Sequence, residues 1–227
     1  MRSTALLTFL VVFVSTAIDL TMADTDEHST SSDVAELSKD TIILFSETQK
    51  IVENIQSNAG SLLATYLSFQ GAPLSNPEYH LPDVKIDNLP TAAMDNDTFL
   101  SQTDETRLKN NLYFYSAIVE FLQIVKTEQE DLNPFALDLT AKLEEAVANS
   151  TTLSNKISAI MTQMGMSVTI EFPKPLVVPY EGSSYFRKKL RGGIICKEYK
   201  DRVFLTKRDF EFLAKKYQGQ LIQQQEE

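Results

Sequence analysis

The stretch APLSNPEYHLPDVKIDNLPTAAMDNDTF, residues 72–99, decides how this chain folds. It carries prolines at 73, 77, 82 and 90 and no sustained apolar period, so it reads as one long connection. Before it, from about 33 to 70, Leu37, Thr41, Leu44, Thr48, Ile51, Ile55, Leu62 and Tyr66 recur at three-and-four spacing. Phe45, Val52, Ala59 and Leu63 lie beside that stripe, and together they predict a long amphipathic helix. Gly71 and Pro73 close it, as Gly just after a helix and Pro beyond it do.

Three more helices are expected downstream. One spans about 102–129, with Leu108, Leu112, Tyr115, Val119, Leu122 and Val125 on its stripe. A short break, EDLNPF, leads into the next at about 134–164, with Asn133 expected as N-cap and Pro134 at the first helical position. Its stripe runs through Leu139, Leu143, Ala146, Leu153, Ile157, Ile160 and Met164. A second long connection, 165–184, holds three prolines and a β-branched run, SVTIEF, able to pair briefly as a strand. The last helix, about 184–217, presents Cys196, Tyr199, Val203, Thr206, Phe210, Leu213 and Tyr217, and Gly192-Gly193 reads as its weak point.

Connection lengths then predict topology. A short link makes the second and third helices antiparallel neighbours, whereas 20–30 extended residues at about 3.3 Å each can run the length of a bundle. The expectation is an all-α, long-chain up-up-down-down four-helix bundle with two long crossover loops. At 227 residues the chain suffices for one domain with a real core.

Residues 1–23 read as a signal peptide, with Arg2 ahead of the apolar run Ala5–Val14 and cleavage expected after Ala17 or Ala23. The helical domain is then 24–227, opening on a polar tail over 24–32. No later segment reaches the roughly 20 apolar residues of a membrane span. A secreted, extracellular monomer without membrane insertion is expected. Asn96 and Asn149 head N-x-S/T sequons, possible glycosylation sites. Cys196 is the only cysteine, so no intrachain disulfide can form, and a buried, inert thiol is the expected state.

The formal net charge is −10, unevenly placed: Tyr185–Tyr217 holds eleven Lys/Arg and four Asp/Glu. A basic helix on an acidic body argues against nucleic acid as partner and leaves room for heparin-like contact along that helix. Catalysis has little to stand on. There are two histidines, no Cys/His spacing for zinc, and no glycine-rich phosphate loop. Neither metal, cofactor nor enzymatic activity is expected, and Glu144-Glu145 and Glu128-x-Glu130-Asp131 read as solvated helix faces. Tyr113, Phe114, Tyr115 and Phe121 exceed one stripe, so one or two of these rings are expected to face outward.

One stretch resists that reading. SSYFRKKLRGGIICKEY, 183–199, sets an aromatic among four cations at a helix start, where cations oppose the helix dipole. Phe186 and Lys189, three apart, share a side of the helix. Either Phe186 caps the core, or the pair forms an exposed anchor with a charge beside it, the composition of an interface hot spot.

YLSFQGAPLSNPEYHLPDVKIDNLP (66–90), EQEDLNPFALDLTAKLEEA (128–146) and FRKKLRGGIICKEYKDRVFLTKRDFEFL (186–213) together resemble the interleukin-6-type four-helix cytokines. The likeness is to the branch containing cardiotrophin, ciliary neurotrophic factor and leukaemia inhibitory factor, nearest to cardiotrophin. It implies a secreted cytokine that bridges a shared interleukin-6-type signal transducer and a leukaemia inhibitory factor receptor-like chain. In that family a Phe-x-x-Lys opening the fourth helix contacts the latter receptor, and the match falls on Phe186 and Lys189. The first and third helices are expected to meet the shared transducer. A secreted amphipathic-helix lipid carrier is the rival reading. Proline-rich loops and one wide apolar stripe per helix favour a closed bundle, and vesicle binding with a gain of helicity would favour the carrier.

Overall fold

The computed structural model describes residues 37–92, 95–176 and 184–223, with side chains placed as far as 219. The expected signal peptide and polar tail lie outside the described residues. Among the described residues five helices follow in order: α1 Lys39–Phe69, α2 Asn96–Ser101, α3 Asp104–Leu132, α4 Leu137–Gln163 and α5 Tyr185–Gln223. There is no strand among the described residues, and SVTIEF is coil.

Local chemistry explains the boundaries. Ser38, Asp95 and Thr103 cap α1, α2 and α3, each side chain accepting a bond from the backbone N–H three residues on. Gly71, just past α1, adopts φ +72, a left-handed conformation that suits a residue without a Cβ. Asn133 does not cap the third long helix. It is the C-cap of α3, its N–H donating to the Gln129 carbonyl, while α4 starts at Leu137 behind Ala136 with no side-chain cap. The Pro134–Phe135 turn fits between them, so the expected start at Pro134 falls three residues early. The α2 helix was not foreseen, since six residues are too few to show a period. Gln223 ends α5 beyond the expected 217.

Hydrogen bonds and ion pairs between helices fix their directions. Tyr66 near the end of α1 meets Lys189 near the start of α5, while Ser46 near the start of α1 meets Gln218 late in α5. Thr41 of α1 bonds Gln163, the last residue of α4. Lys126 late in α3 pairs with Glu144 early in α4. Gln70 and Gln129, at the ends of α1 and α3, bond each other. Thus α1 and α3 run one way and α4 and α5 the other. Each helix packs on two antiparallel neighbours, and the parallel pairs sit on the diagonals.

The four apolar stripes close on one core, from Phe45, Val52 and Leu62 through Leu108, Phe121 and Val125 to Leu143, Ile157, Val203 and Phe210. Every expected stripe residue of α5 is buried. Phe45 stacks on Tyr217 with centroids 4.9 Å apart. On α1 the flanking Phe45, Val52 and Ala59 lie deeper than Leu44 and Ile51. Of the α3 rings only Tyr113 leaves the interior, and it packs on Phe172 of the second connection. The closed interior is the bundle that the proline-rich loops and the single stripe per helix favour.

The first connection is pinned to α5. Leu81 lies against Gly193, the Ala92 N–H donates to Glu198 at 2.7 Å, and Arg208 stacks over Phe99 at 4.0 Å. Asn88 reaches Leu176 of the other connection at 3.1 Å.

Charge inside the bundle was not legible beforehand. Arg107 donates to Asp209 at 2.7 Å and to the Phe99 carbonyl at 2.6 Å, with its guanidinium 4.5 and 4.7 Å from the Phe99 and Phe212 centroids. Asn111 donates to the second Asp209 oxygen, Thr206 donates to Asn111, and Tyr115 donates to Thr206. All five polar residues are buried. Removing one member of such a pair leaves a naked charge, at a cost of about 3–5 kcal/mol, whereas replacing both by apolar groups is often near neutral. Asp209→Ala is therefore expected to lose about 3 kcal/mol or more in urea unfolding. Arg107→Met with Asp209→Leu should recover most of that loss, and equal losses for the single and double variants would refute the account.

Candidate functional site

One end of the bundle gathers the C-termini of α1 and α3 and the N-terminus of α5. The Tyr66 hydroxyl donates to the Lys189 carbonyl at 2.9 Å and accepts from Gln129 at 3.3 Å. The ring lies so close to α5 that a Cβ on Gly192 would stand 2.1 Å from the Tyr66 oxygen. One on Gly193 would stand 3.1 Å from Leu81. The glycine pair is thus no weak point. It costs about 1 kcal/mol per residue in helix propensity but admits the tyrosine and the connection onto the α5 backbone.

Two of the four cations at the start of α5 have close partners here. Lys189 donates from Nζ to the Gln70 carbonyl at 2.8 Å, capping the last turn of α1 from a neighbouring helix. Arg191 pairs with Glu128 of α3, both side chains largely buried. Burial pushes the Glu128 carboxyl above its ordinary range, with Arg191 and then Lys188 drawing it back. Glu128 is therefore not part of a solvated face, as expected from its acidic neighbours. Two helix C-termini with their negative dipole ends border the start of α5, so cations that oppose its own dipole answer its neighbours'.

Phe186 and Lys189 share a helix side but diverge in use. Phe186 remains 45% exposed, while Lys189 is half-buried and turned to α1. Tyr185, its chain neighbour, is 74% exposed, and Phe69 is exposed at the end of α1, at the same end of the bundle. The α3–α4 turn adds Phe135 and Leu137 at this end, 93% and 77% exposed. Sequence reading passed over these last two, although both are large apolar residues off the Leu139–Leu143 stripe and Phe135 directly follows a proline. It also missed Phe204 and Phe212, exposed on α5 toward the other end, and Leu100 on α2.

The sequons lie elsewhere. Asn96 is exposed at the first position of α2, where it accepts from Arg208 at 3.2 Å, far along α5 from Phe186. Asn149 is half-buried in mid-α4. The basic count of α5 overstates its open charge: Lys197, Lys207 and Lys216 pair with Asp201, Glu211 and Asp104, and Arg202 is buried over Phe114. Cys196 is wholly buried, and burial drives its thiol pKa up.

A family profile described as plethodontid receptivity factor, PRF, matches residues 2–221. Cardiotrophin-2 of Mus musculus is 34% identical over 163 residues, 72% of this chain and 79% of that protein. Cardiotrophin-2 of Pan troglodytes is 32% identical over the same share of this chain and 80% of its own, and Cardiotrophin-1 of Rattus norvegicus 24% over 168 residues. The chain belongs to the plethodontid receptivity factor family and is an interleukin-6-type cytokine. In this cytokine the closed core and the exposed end have separate demands, and each can be tested.

Gly192→Ala is expected to destabilise the cytokine by about 2 kcal/mol in urea, because overpacking against Tyr66 outweighs the gain in helix propensity. Gly60→Ala, in α1 with nothing within 4 Å of the added carbon, should instead be neutral or stabilising by up to about 1 kcal/mol. The same sign for both would sink the close-packing argument. The Cys196 thiol titrates above its unfolded value of about 8.5, so its contribution to stability is full below that pH and is lost as pH rises through the folded value. Ellman's reagent at about pH 8 should leave it unreacted in the native protein and label it at once in denaturant.

Proposed function

We propose that this cytokine is secreted and acts by bridging two receptor chains, a shared interleukin-6-type signal transducer and a leukaemia inhibitory factor receptor-like chain. Phe186 is the anchor for the second. The observation that carries this is a phenyl ring nearly half in water at the start of a rigid helix, in a chain whose core is otherwise complete. Exposed aromatics on a fixed scaffold lose little entropy on docking and dominate interface energetics. Lys189 serves the anchor by tying the first turns of α5 to the end of α1 through Gln70, and it keeps two further N–H groups for the receptor.

No covalent chemistry is involved. The bundle holds its receptors at a fixed separation, and their association is the signal. The outer faces of α1 and α4 are left for the shared transducer. Glycans at Asn96 and Asn149 would stand clear of Phe186, one toward the far end and the other midway along α4. The apolar run Ala5–Val14 behind Arg2 supports export, and the free protein is a monomer in this reading.

The test is binding of the purified protein to each immobilised receptor ectodomain. Phe186→Ala should weaken the leukaemia inhibitory factor receptor-like contact by about 2 kcal/mol, roughly 30-fold, and leave the transducer contact unchanged. A folded Phe186→Ala protein that binds both chains like the wild type would refute the assignment.

A further inference from the structure

Beside Phe186, on the adjacent side of α5, lies a slot of 270 Å³ that the sequence did not announce. Val84 and Ile86 of the first connection form one wall, and Leu190 and Ile194 form the other, with Arg187 and Lys188 at the mouth. Val84 is 49% exposed, so the slot opens to solvent. Arg191 also borders it, but its guanidinium is engaged by Glu128. Arg187 is exposed and Lys188 partly so, and neither has an ion-pair partner within 4 Å among the described residues.

We propose that this slot receives an apolar side chain from an acidic segment of the same receptor that Phe186 engages, which rests on the bridging function above. Size and polarity select that occupant. Small-molecule sites typically enclose about 300–1,000 Å³ and bury most of the ligand around a few placed polar groups. This slot is smaller, open, and apolar in its walls, so it suits one inserted side chain. Charge selects the flanks. Arg187 and Lys188 form no close ion pair among the described residues, although Lys188 feels the Glu128 carboxylate. At the rim they favour carboxylates on the incoming chain and steer its approach. The contact is then reciprocal, with a ring given from one side of α5 and a side chain taken on the next.

Two variants separate the walls from the rim, with Phe186→Ala measured in parallel on the leukaemia inhibitory factor receptor ectodomain. Val84→Trp closes the mouth at an exposed position and should speed dissociation about tenfold. Arg187→Glu with Lys188→Glu should slow association at least about tenfold at low salt and flatten its dependence on ionic strength. Far-UV circular dichroism verifies that each variant keeps its helices. Wild-type kinetics for both slot variants while Phe186→Ala loses affinity would overturn the slot and spare the bridging reading. Failure of the wild type to bind the ectodomain would overturn both. A self-association that Val84→Trp abolishes, or a fluorescent fatty acid that Val84→Trp displaces, would overturn the receptor as occupant in favour of a second copy or an anionic lipid.

Discussion

The approach of Tyr66 to the backbone of α5 is the contact on which the rest of the bundle depends. A phenol cannot sit against a helix at that depth unless the helix lacks side chains there, and Gly192 provides the opening. Once seated, the hydroxyl bonds the Lys189 carbonyl, which sets the register of α5 against α1. That register carries the Lys189 ammonium to the end of α1 and Arg191 to Glu128, so three helix ends are joined at one level. Burial of the ring raises its pKa well above the free value, with Cys196 and Glu128 adding to the effect and Arg191 opposing it. The phenol thus stays neutral and able to donate.

The opposite part of the α3–α5 interface is organised by charge. Arg107 and Asp209 are nearly inaccessible, and their hydrogen bonds extend through Asn111 and Thr206 to Tyr115. An apolar seam between two long helices tolerates sliding by a turn, whereas this network is satisfied in one alignment only. Its cost in desolvation is offset in part by hydrogen bonds that link every residue of the network from Arg107 to Tyr115, although the Arg107 Nε is left without a hydrogen-bond acceptor. Tyr66 at one level and Asp209 at the other fix α5 at two points along its length, and Phe186 is presented at a fixed place as a consequence.

Much of this was readable from periodicity. The stripe of α5 matches its buried face, and those of α3 and α4 nearly so, because burial of apolar area is local in sequence at three-and-four spacing. On α1 the buried face is turned toward the flanking Phe45, Val52 and Ala59. The start of α4 was misread because Asn-Pro is an entry signal for a helix and Asn equally suits an exit, and only the position of Gln129 decides between them. The exposed ring at Phe186 was legible as a candidate, since an aromatic among cations fits poorly with either core or solvent. Phe135 and Leu137 were less so, because a stripe that begins at Leu139 draws the eye past them.

The chain alone determined four amphipathic rods, the lengths of their links, and an aromatic set among cations; each depends on residues a few positions apart. Its tertiary structure decided what those cations do. Lys189 and Arg191 are unfavourable to the helix that carries them and favourable to the ends of two others, 119 and 63 positions away along the chain. No local rule registers such a partner, because the field that stabilises each cation exists only after three helix ends have met.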